Sequence, residues 1–121
     1  MTDMSEPSDL IMLRDKLRAF AAERDWEQFH SPKNLSMALM VEVAELMEHF
    51  QWLTESQSAA LPPKTQQEVG EELADCLLYL VRLSDRLGVD LRTAALEKLD
   101  KNAAKYPAEQ VRGSSKKYTE Y

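Results

Sequence analysis

The sequence has few of the residues that mark disulfide-bonded, loop-rich or strand-rich proteins. Cys76 is the only cysteine, so no disulfide can form within the chain. Its place in an apolar run indicates a small buried side chain rather than a nucleophile. Only three glycines occur among the 121 residues, and β-branched residues are sparse beside Leu, Ala, Glu and Lys. This composition favours helices over strands, and the length is that of one domain.

Long hydrophobic runs and an excess of positive charge are also missing. No segment is apolar for long enough to span a membrane, and the acidic start Met1–Glu6 lacks the features of a signal peptide, so we expect a cytoplasmic protein. The net charge of −6 disfavours nucleic-acid binding, because phosphate backbones require basic patches. If the protein binds an anionic ligand, a divalent cation is the obvious source of positive charge.

Hydrophobic spacing predicts an all-α, four-helix bundle-like subunit. The predicted helices run from about Ser8 to Gln28, Asn34 to Leu53, Thr65 to Gly88 and Asp90 to Lys105. We expect a flexible N-terminal tail over residues 1–9, a helical domain over residues 10–107 and a polar tail over residues 108–121.

Local signals set the predicted helix ends. Pro32 is expected to lie in a loop before the second helix, and residues 54–64 are expected to form a surface loop. Thr65–Glu68 matches the capping-box pattern, which predicts the start of the third helix. Gly88 suits the position after that helix, and Asp90 can cap the fourth.

The apolar residues of the two middle helices form predicted core stripes. The stripes comprise Leu35, Leu39, Leu46 and Leu53 on the second helix, and Leu73, Leu77, Leu80, Ser84 and Leu87 on the third. Residues 76–83 are apolar almost all round, and a small bundle cannot cover every side of one helix. We therefore predict a homo-oligomer in which a second subunit buries part of the third helix. The alternative is a central helix that its own neighbours cover.

Two acidic pairs, Glu42 with Glu45 and Glu72 with Asp75, have the i,i+3 spacing that makes their members neighbours on a helix. On a helical wheel at about 100° per residue, Glu42 falls within the apolar stripe of the second helix. A carboxylate in that position is costly unless it is neutralised. Antiparallel packing would join the pairs into an all-oxygen site that prefers Mg²⁺ or Mn²⁺. The alternative is ordinary solvated acids on amphipathic helices.

Other polar and aromatic residues are candidates for ligand contacts. Lys98, Asn102 and Lys105 share one edge of the fourth helix and could hold phosphate oxygens, although cations near a helix C-terminus also complement its dipole. The aromatic candidates for stacking on a flat base are Trp26, Phe29, His30, Trp52 and Tyr79. Packing at the rim of the core is the alternative for these rings.

The acidic pairs, in this order along the chain, resemble the E-x-x-E and E-x-x-D signature of the MazG-like, all-α nucleoside triphosphate pyrophosphohydrolases. Further segments are similar to the dCTP pyrophosphatase branch of that superfamily. They are Ala21–His30, Pro32–Leu35, Phe50–Trp52, Lys98-x-Asp100-x-Asn102, Tyr106–Pro107 and Ser114–Glu120. The resemblance covers nearly the whole chain from Leu10 onward.

The resemblance implies a homotetramer that uses Mg²⁺, with Mn²⁺ as a substitute, to release pyrophosphate from deoxycytidine triphosphate and its 5-modified analogues. The metal-binding and catalytic positions it implies are Glu42, Glu45, Glu72 and Asp75. The substrate contacts it implies are Trp26, His30, Trp52 and Tyr79 for base and sugar, with Lys98 and Asn102 at the phosphate end.

One departure from the branch bears on substrate preference. Members of the branch carry a histidine where this chain has Leu17. A broad-specificity triphosphate pyrophosphohydrolase is therefore a second hypothesis. A third, from another class, is a non-catalytic nucleotide-binding helical module, which the loss of an acidic ligand would favour. None of the four is lost here.

Overall fold

The structure, a computed structural model, describes residues 8–115 and 118–120. These residues form helices and connecting turns without a β-strand, which confirms the all-α prediction. The helices are α1 (Asp9–Glu23), α2 (Pro32–Glu48), α3 (Glu55–Ser58), α4 (Pro63–Arg86), α5 (Leu91–Lys105) and α6 (Ala108–Val111), with 3₁₀ turns at Glu27–Phe29 and Tyr118–Glu120. The chain divides into two compact units, one that extends to Val89 and one that begins at Asp90.

The first two long helices begin at serine caps. The Ser8 side chain accepts a hydrogen bond from the backbone N–H of Ile11, and the Ser31 side chain accepts one from Asn34. Pro32 occupies the first turn of α2 instead of a loop, so the predicted start of this helix was wrong. Proline fits there because its fixed φ suits a helix and its missing N–H has no partner in the first turn.

The start of α4 also differs from the prediction. Thr65–Glu68 does not cap this helix, which begins two residues earlier at Pro63 with no side-chain cap. A capping box forms instead between Thr54 and Gln57, at the start of α3, in the segment expected to be a loop. Proline at the first helical position explains the difference, because it can begin a helix without a capping side chain.

The turn between α4 and α5 agrees with the prediction. Gly88 has a φ of 69°, and the N–H groups of Gly88 and Val89 donate to the carbonyls of Asp85 and Ser84. These two hydrogen bonds form a Schellman motif, which ends a helix at a residue in the left-handed conformation. The Asp90 side chain then accepts a hydrogen bond from the N–H of Thr93 and caps α5.

The C-terminal segment contains more structure than the polar tail we predicted. Residues 108–111 form the one-turn helix α6, and its N-cap is Pro107, the residue expected to end the helical part of the chain. The predicted flexible tail lies mostly outside the described residues, and Ser8 and Asp9 already belong to the start of α1. None of the helices in residues 8–115 or 118–120 is long and apolar enough to cross a membrane.

In the first unit, α4 packs against both α1 and α2. Its buried core comprises Ala21, Leu35, Val69 and Val81. The predicted leucine stripe of α4 is wrong, because Leu73, Leu77, Leu80 and Leu87 are exposed by 53%, 40%, 42% and 56%. A helix that is apolar on several sides gives no periodicity that could select one face.

Candidate active site

Three of the four predicted acidic ligands meet where α2 packs against α4. Glu42 and Glu45 follow one another at i,i+3 on α2, and Glu72 faces them from α4. Each offers a carboxylate oxygen, and the three oxygens lie within 4.8 Å of one another. All three residues are half-buried, so bulk water screens their mutual repulsion only in part.

Two oxygens of this carboxylate cluster have unmet bonding capacity. Glu42 Oε2 and Glu72 Oε2 are buried, and neither has a hydrogen-bond partner among the described residues. A buried carboxylate oxygen without a donor is costly, and a bound cation would satisfy both oxygens at once. An all-oxygen donor set suits a hard divalent cation. The residues present therefore fit a metal ion.

The same crowding changes the acidity of Glu42. Its pKa is raised from 4.5 to about 7, chiefly by burial and also by the neighbouring carboxyl groups of Glu72, Glu45 and Asp75. Without a cation, the cluster therefore favours retention of a proton near neutral pH. A divalent cation would reverse this preference, because it stabilises the ionised carboxylates.

We expect the metal-free protein to lose stability as the pH rises from 4.5 to about 7, the window between the unfolded and folded pKa of Glu42. In this window the folded state holds a proton that the unfolded state has released, so raising the pH favours unfolding, by about 1 kcal/mol after solvent screening. Thermal unfolding in EDTA measures the effect. The loss of stability with rising pH should be absent in Glu42→Gln. It should be retained in Glu48→Gln, because Glu48 is exposed on the same helix. Parallel pH profiles for Glu42→Gln and the wild type would contradict the assignment.

The fourth predicted ligand, Asp75, lies beside the cluster. Its carboxylate is not part of the three-oxygen group, and the residue is exposed. It lies in the wall of a neighbouring cavity of about 260 Å³. The residues that line the cavity are Leu17, Phe20, Trp26, His30, Leu35, Asp75, Leu78, Tyr79 and Arg82.

The cavity brings together three of the four predicted base and sugar contacts: Trp26, His30 and Tyr79. Trp26 is held edge-on against Phe20, with 5.7 Å between ring centroids, and lies 6.3 Å from the His30 ring. The fourth predicted contact, Trp52, is 87% exposed and does not line this cavity. Aromatic walls of this kind suit a flat heterocycle.

Arg82 is the functional candidate that the sequence analysis missed. It is 4% exposed and lines the cavity, and its Nε donates a hydrogen bond of 3.1 Å to His30 Nδ1. Nη1 lies 3.6 Å from Asp85, whereas Nη2 is buried without a hydrogen-bond partner among the described residues. The signal was a single cation within the apolar run 76–83, where a charge requires a partner.

A chain of ion pairs connects Arg82 to α1. Asp85 accepts two short hydrogen bonds from Arg18, at 2.8 and 2.6 Å. These hydrogen bonds hold the pKa of Asp85 below its usual value, which keeps the carboxylate ionised beside Arg82. Arg86, one turn later on α4, donates a hydrogen bond of 3.1 Å to the backbone carbonyl of His30. Arg82 and Arg86 thereby connect His30, a residue of the cavity wall, to α4.

The predicted phosphate contacts lie on α5 in the second unit. Lys98 is exposed and Asn102 is half-buried, with its carbonyl accepting a hydrogen bond from Tyr106. They lie one helical turn apart, as the spacing predicted. Their role in binding phosphate stays a prediction.

An all-α fold with glutamates from two packed helices, next to an aromatic cavity, defines a class of helical proteins with an acidic ligand site. The chain belongs to the MazG-like family, whose model matches residues 37–121. This confirms the resemblance drawn from the acidic motifs.

Several relatives are similar over most of the chain. The proteins named dCTP pyrophosphatase 1 from Mus musculus and Homo sapiens are each 52% identical over 103 residues, which is 84% of this chain and 61% of theirs. The chain thus spans about three-fifths of their length. The Bos taurus protein of the same name is 48% identical over 118 residues, covering 96% of this chain and 69% of its own.

A solved structure supports the same family. A pyrophosphatase from Archaeoglobus fulgidus superposes with a TM-score of 0.79 at 36% sequence identity. The match covers 88% of this chain and 99% of that one. Helical architecture and sequence similarity therefore lead to one family.

Proposed function

We propose that this protein hydrolyses dCTP, and deoxycytidine triphosphates modified at position 5, to the monophosphate and pyrophosphate. The observation that carries the proposal is a pair of buried oxygens, on Glu42 and Glu72, that have no hydrogen-bond partner in the described part of the chain and lie beside an aromatic cavity. The relatives named dCTP pyrophosphatase 1 support the choice of substrate. A role in clearing the nucleotide pool follows from this activity.

We propose Mg²⁺ as the cofactor, with Mn²⁺ able to replace it. Glu42, Glu45 and Glu72 would hold the ion, with Asp75 completing the set. The ion would offset the negative charge of the triphosphate and lower the pKa of a bound water. One of the α2 carboxylates, Glu42 or Glu45, would take a proton from the attacking water.

The cavity would hold the nucleoside. Trp26 and Tyr79 would contact the base with their ring faces. Asp75 lies in the part of the cavity wall that is next to the carboxylate cluster. Anchoring the base at one end fixes the distance of the α-phosphate from the carboxylates, and such positioning supplies much of the rate in phosphoryl-type reactions. Leu17 also lines the cavity. Because the dCTP pyrophosphatase branch has a histidine at this position, the leucine would change which bases the cavity prefers.

We further propose that the protein is a homotetramer. Large apolar side chains are exposed on two helices that carry the carboxylate cluster. They include Met37, Met40 and Met47 on α2 and Leu73, Leu77 and Leu80 on α4. An exposed apolar surface of this extent is typical of a subunit interface.

Turnover across a panel of natural and 5-modified triphosphates with Mg²⁺ tests the proposal. We expect dCTP and its 5-modified analogues to give the highest kcat/KM. Comparable values for purine and pyrimidine triphosphates would support the broad-specificity alternative instead. Nucleotide binding without pyrophosphate release from any triphosphate would reject the enzyme and favour the non-catalytic module.

A further inference from the structure

The hydrogen bond between Arg82 and His30 determines which nitrogen of the imidazole carries a proton. Arginine Nε is always a donor, so His30 Nδ1, 3.1 Å away, must accept with its lone pair. A neutral imidazole whose Nδ1 is an acceptor has its proton on Nε2. Because His30 lines the cavity and Nδ1 is occupied, Nε2–H is the polar group that remains for a ligand.

The surroundings of His30 also keep the ring neutral. Burial lowers its pKa, and the positive charges of Arg82 and Arg86 lower it further, against a smaller opposing effect of Glu27. A protonated ring would place a third cation beside two guanidinium groups and would leave Nδ1 unable to accept. Burial and the two arginines on α4 therefore keep the ring neutral, and the hydrogen bond from Arg82 selects the tautomer.

Arg82 is itself held in place. Asp85 lies 3.6 Å from its Nη1, and Arg18 fixes Asp85 through two hydrogen bonds. Its Nη2, buried and without a partner in the described part of the chain, is a second donor in a residue that lines the cavity.

We propose that Arg82 is a positioning residue that fixes His30 as the Nε2–H tautomer, so that His30 presents a hydrogen-bond donor to the acceptor edge of a cytosine base. The proposal rests on the proposed function in one respect, that the cavity receives the base of dCTP. Cytosine offers adjacent acceptors, N3 and the O2 carbonyl, whereas N3 of uracil or thymine carries a proton. A fixed donor that reaches N3 thus favours cytosine, because uracil and thymine would set their N3–H against it.

The tautomer can be measured without turnover. The ¹⁵N chemical shifts of the imidazole nitrogens distinguish protonated from unprotonated positions, and the chain has only two histidines, His30 and His49. In the ligand-free wild type at neutral pH, we expect His30 to show an unprotonated Nδ1 and a protonated Nε2. His49 has no hydrogen bond to an arginine within residues 8–115 and 118–120, and it serves as the reference. A protonated Nδ1 on His30, or the same mixture of tautomers at both histidines, would overturn the proposal.

Substitution tests the positioning role. Arg82→Lys keeps the charge but removes the Nε–H that faces Nδ1, so we expect mixed tautomers and a KM for dCTP raised roughly three- to tenfold, with kcat little changed. Arg86→Gln is the matched control, since the hydrogen bond that Arg86 donates to His30 goes to the backbone carbonyl and not to the ring, so its loss should leave the tautomer intact. A single Nε2–H tautomer in Arg82→Lys would contradict the proposal, as would a fall in kcat at unchanged KM.

A double substitution separates action through His30 from direct contact. If Arg82 acts through His30, Arg82→Lys should add little to the KM of His30→Asn. Additive effects would show that Arg82 acts independently of His30 and would reject the positioning role. If the wild type hydrolyses no dCTP, the proposed function fails, while the ¹⁵N spectrum still decides the tautomer.

Discussion

Glu72→Gln is expected to lower kcat for dCTP by about a thousandfold, because loss of a carboxylate ligand removes several kcal/mol of transition-state stabilisation supplied by the metal. Glu72 is the member of the three-oxygen group that comes from α4, and one of its oxygens is buried without a hydrogen-bond partner among the residues that the structure describes. Steady-state release of pyrophosphate at saturating Mg²⁺ measures the loss.

Glu48→Gln is the matched control for this experiment. Glu48 is exposed on α2 and lies outside the carboxylate cluster, so its substitution should leave kcat unchanged. In EDTA, Glu72→Gln should melt at or above the wild-type temperature, because it removes a like charge from the cluster. An active Glu72→Gln variant would contradict the metal assignment, and a lower melting temperature would contradict the crowding argument.

Leu77→Glu is expected to reduce the particle from four chains to one. Leu77 is 40% exposed and lies between Leu73 and Leu80, which are exposed with it on an apolar face of α4. If this face is the subunit interface, a glutamate there would be buried without a cation, and that costs several kcal/mol per subunit. Light scattering at micromolar concentration measures the mass.

Gln67→Glu provides the control for charge alone, since Gln67 is exposed on the same helix. It should leave the mass at four chains. A wild-type protein with the mass of one chain would reject the oligomer outright. An unchanged mass for Leu77→Glu would place the interface elsewhere on the subunit.

Much of the fold followed from local signals in the sequence. The i,i+3 acidic pairs had to lie on helix faces, and Asp90 and Gly88 define a helix start and stop through bonds made within a few residues. Proline was harder to interpret. Pro32 and Pro63 both begin helices, because the first turn needs no N–H from that position.

Features that depend on packing could not be predicted in the same way. The leucine stripe of α4 is exposed and a different face is buried, because several faces of this helix are apolar and only contact with α1 and α2 selects one. The same holds for the site. The acidic motifs predicted that the two glutamates of α2 meet Glu72. The hydrogen bond from Arg82 to His30 joins residues 52 positions apart, and no short sequence motif indicates it.

We propose that the carboxylate cluster directs water to the α-phosphate of a bound nucleotide. Hydrolysis of dCTP by the protein with Mg²⁺ in ¹⁸O-labelled water tests it most directly, with both products analysed by mass spectrometry. If water attacks the α-phosphorus directly, we expect unlabelled pyrophosphate and one ¹⁸O in dCMP. Label in pyrophosphate, or release of orthophosphate with dCDP, would contradict it.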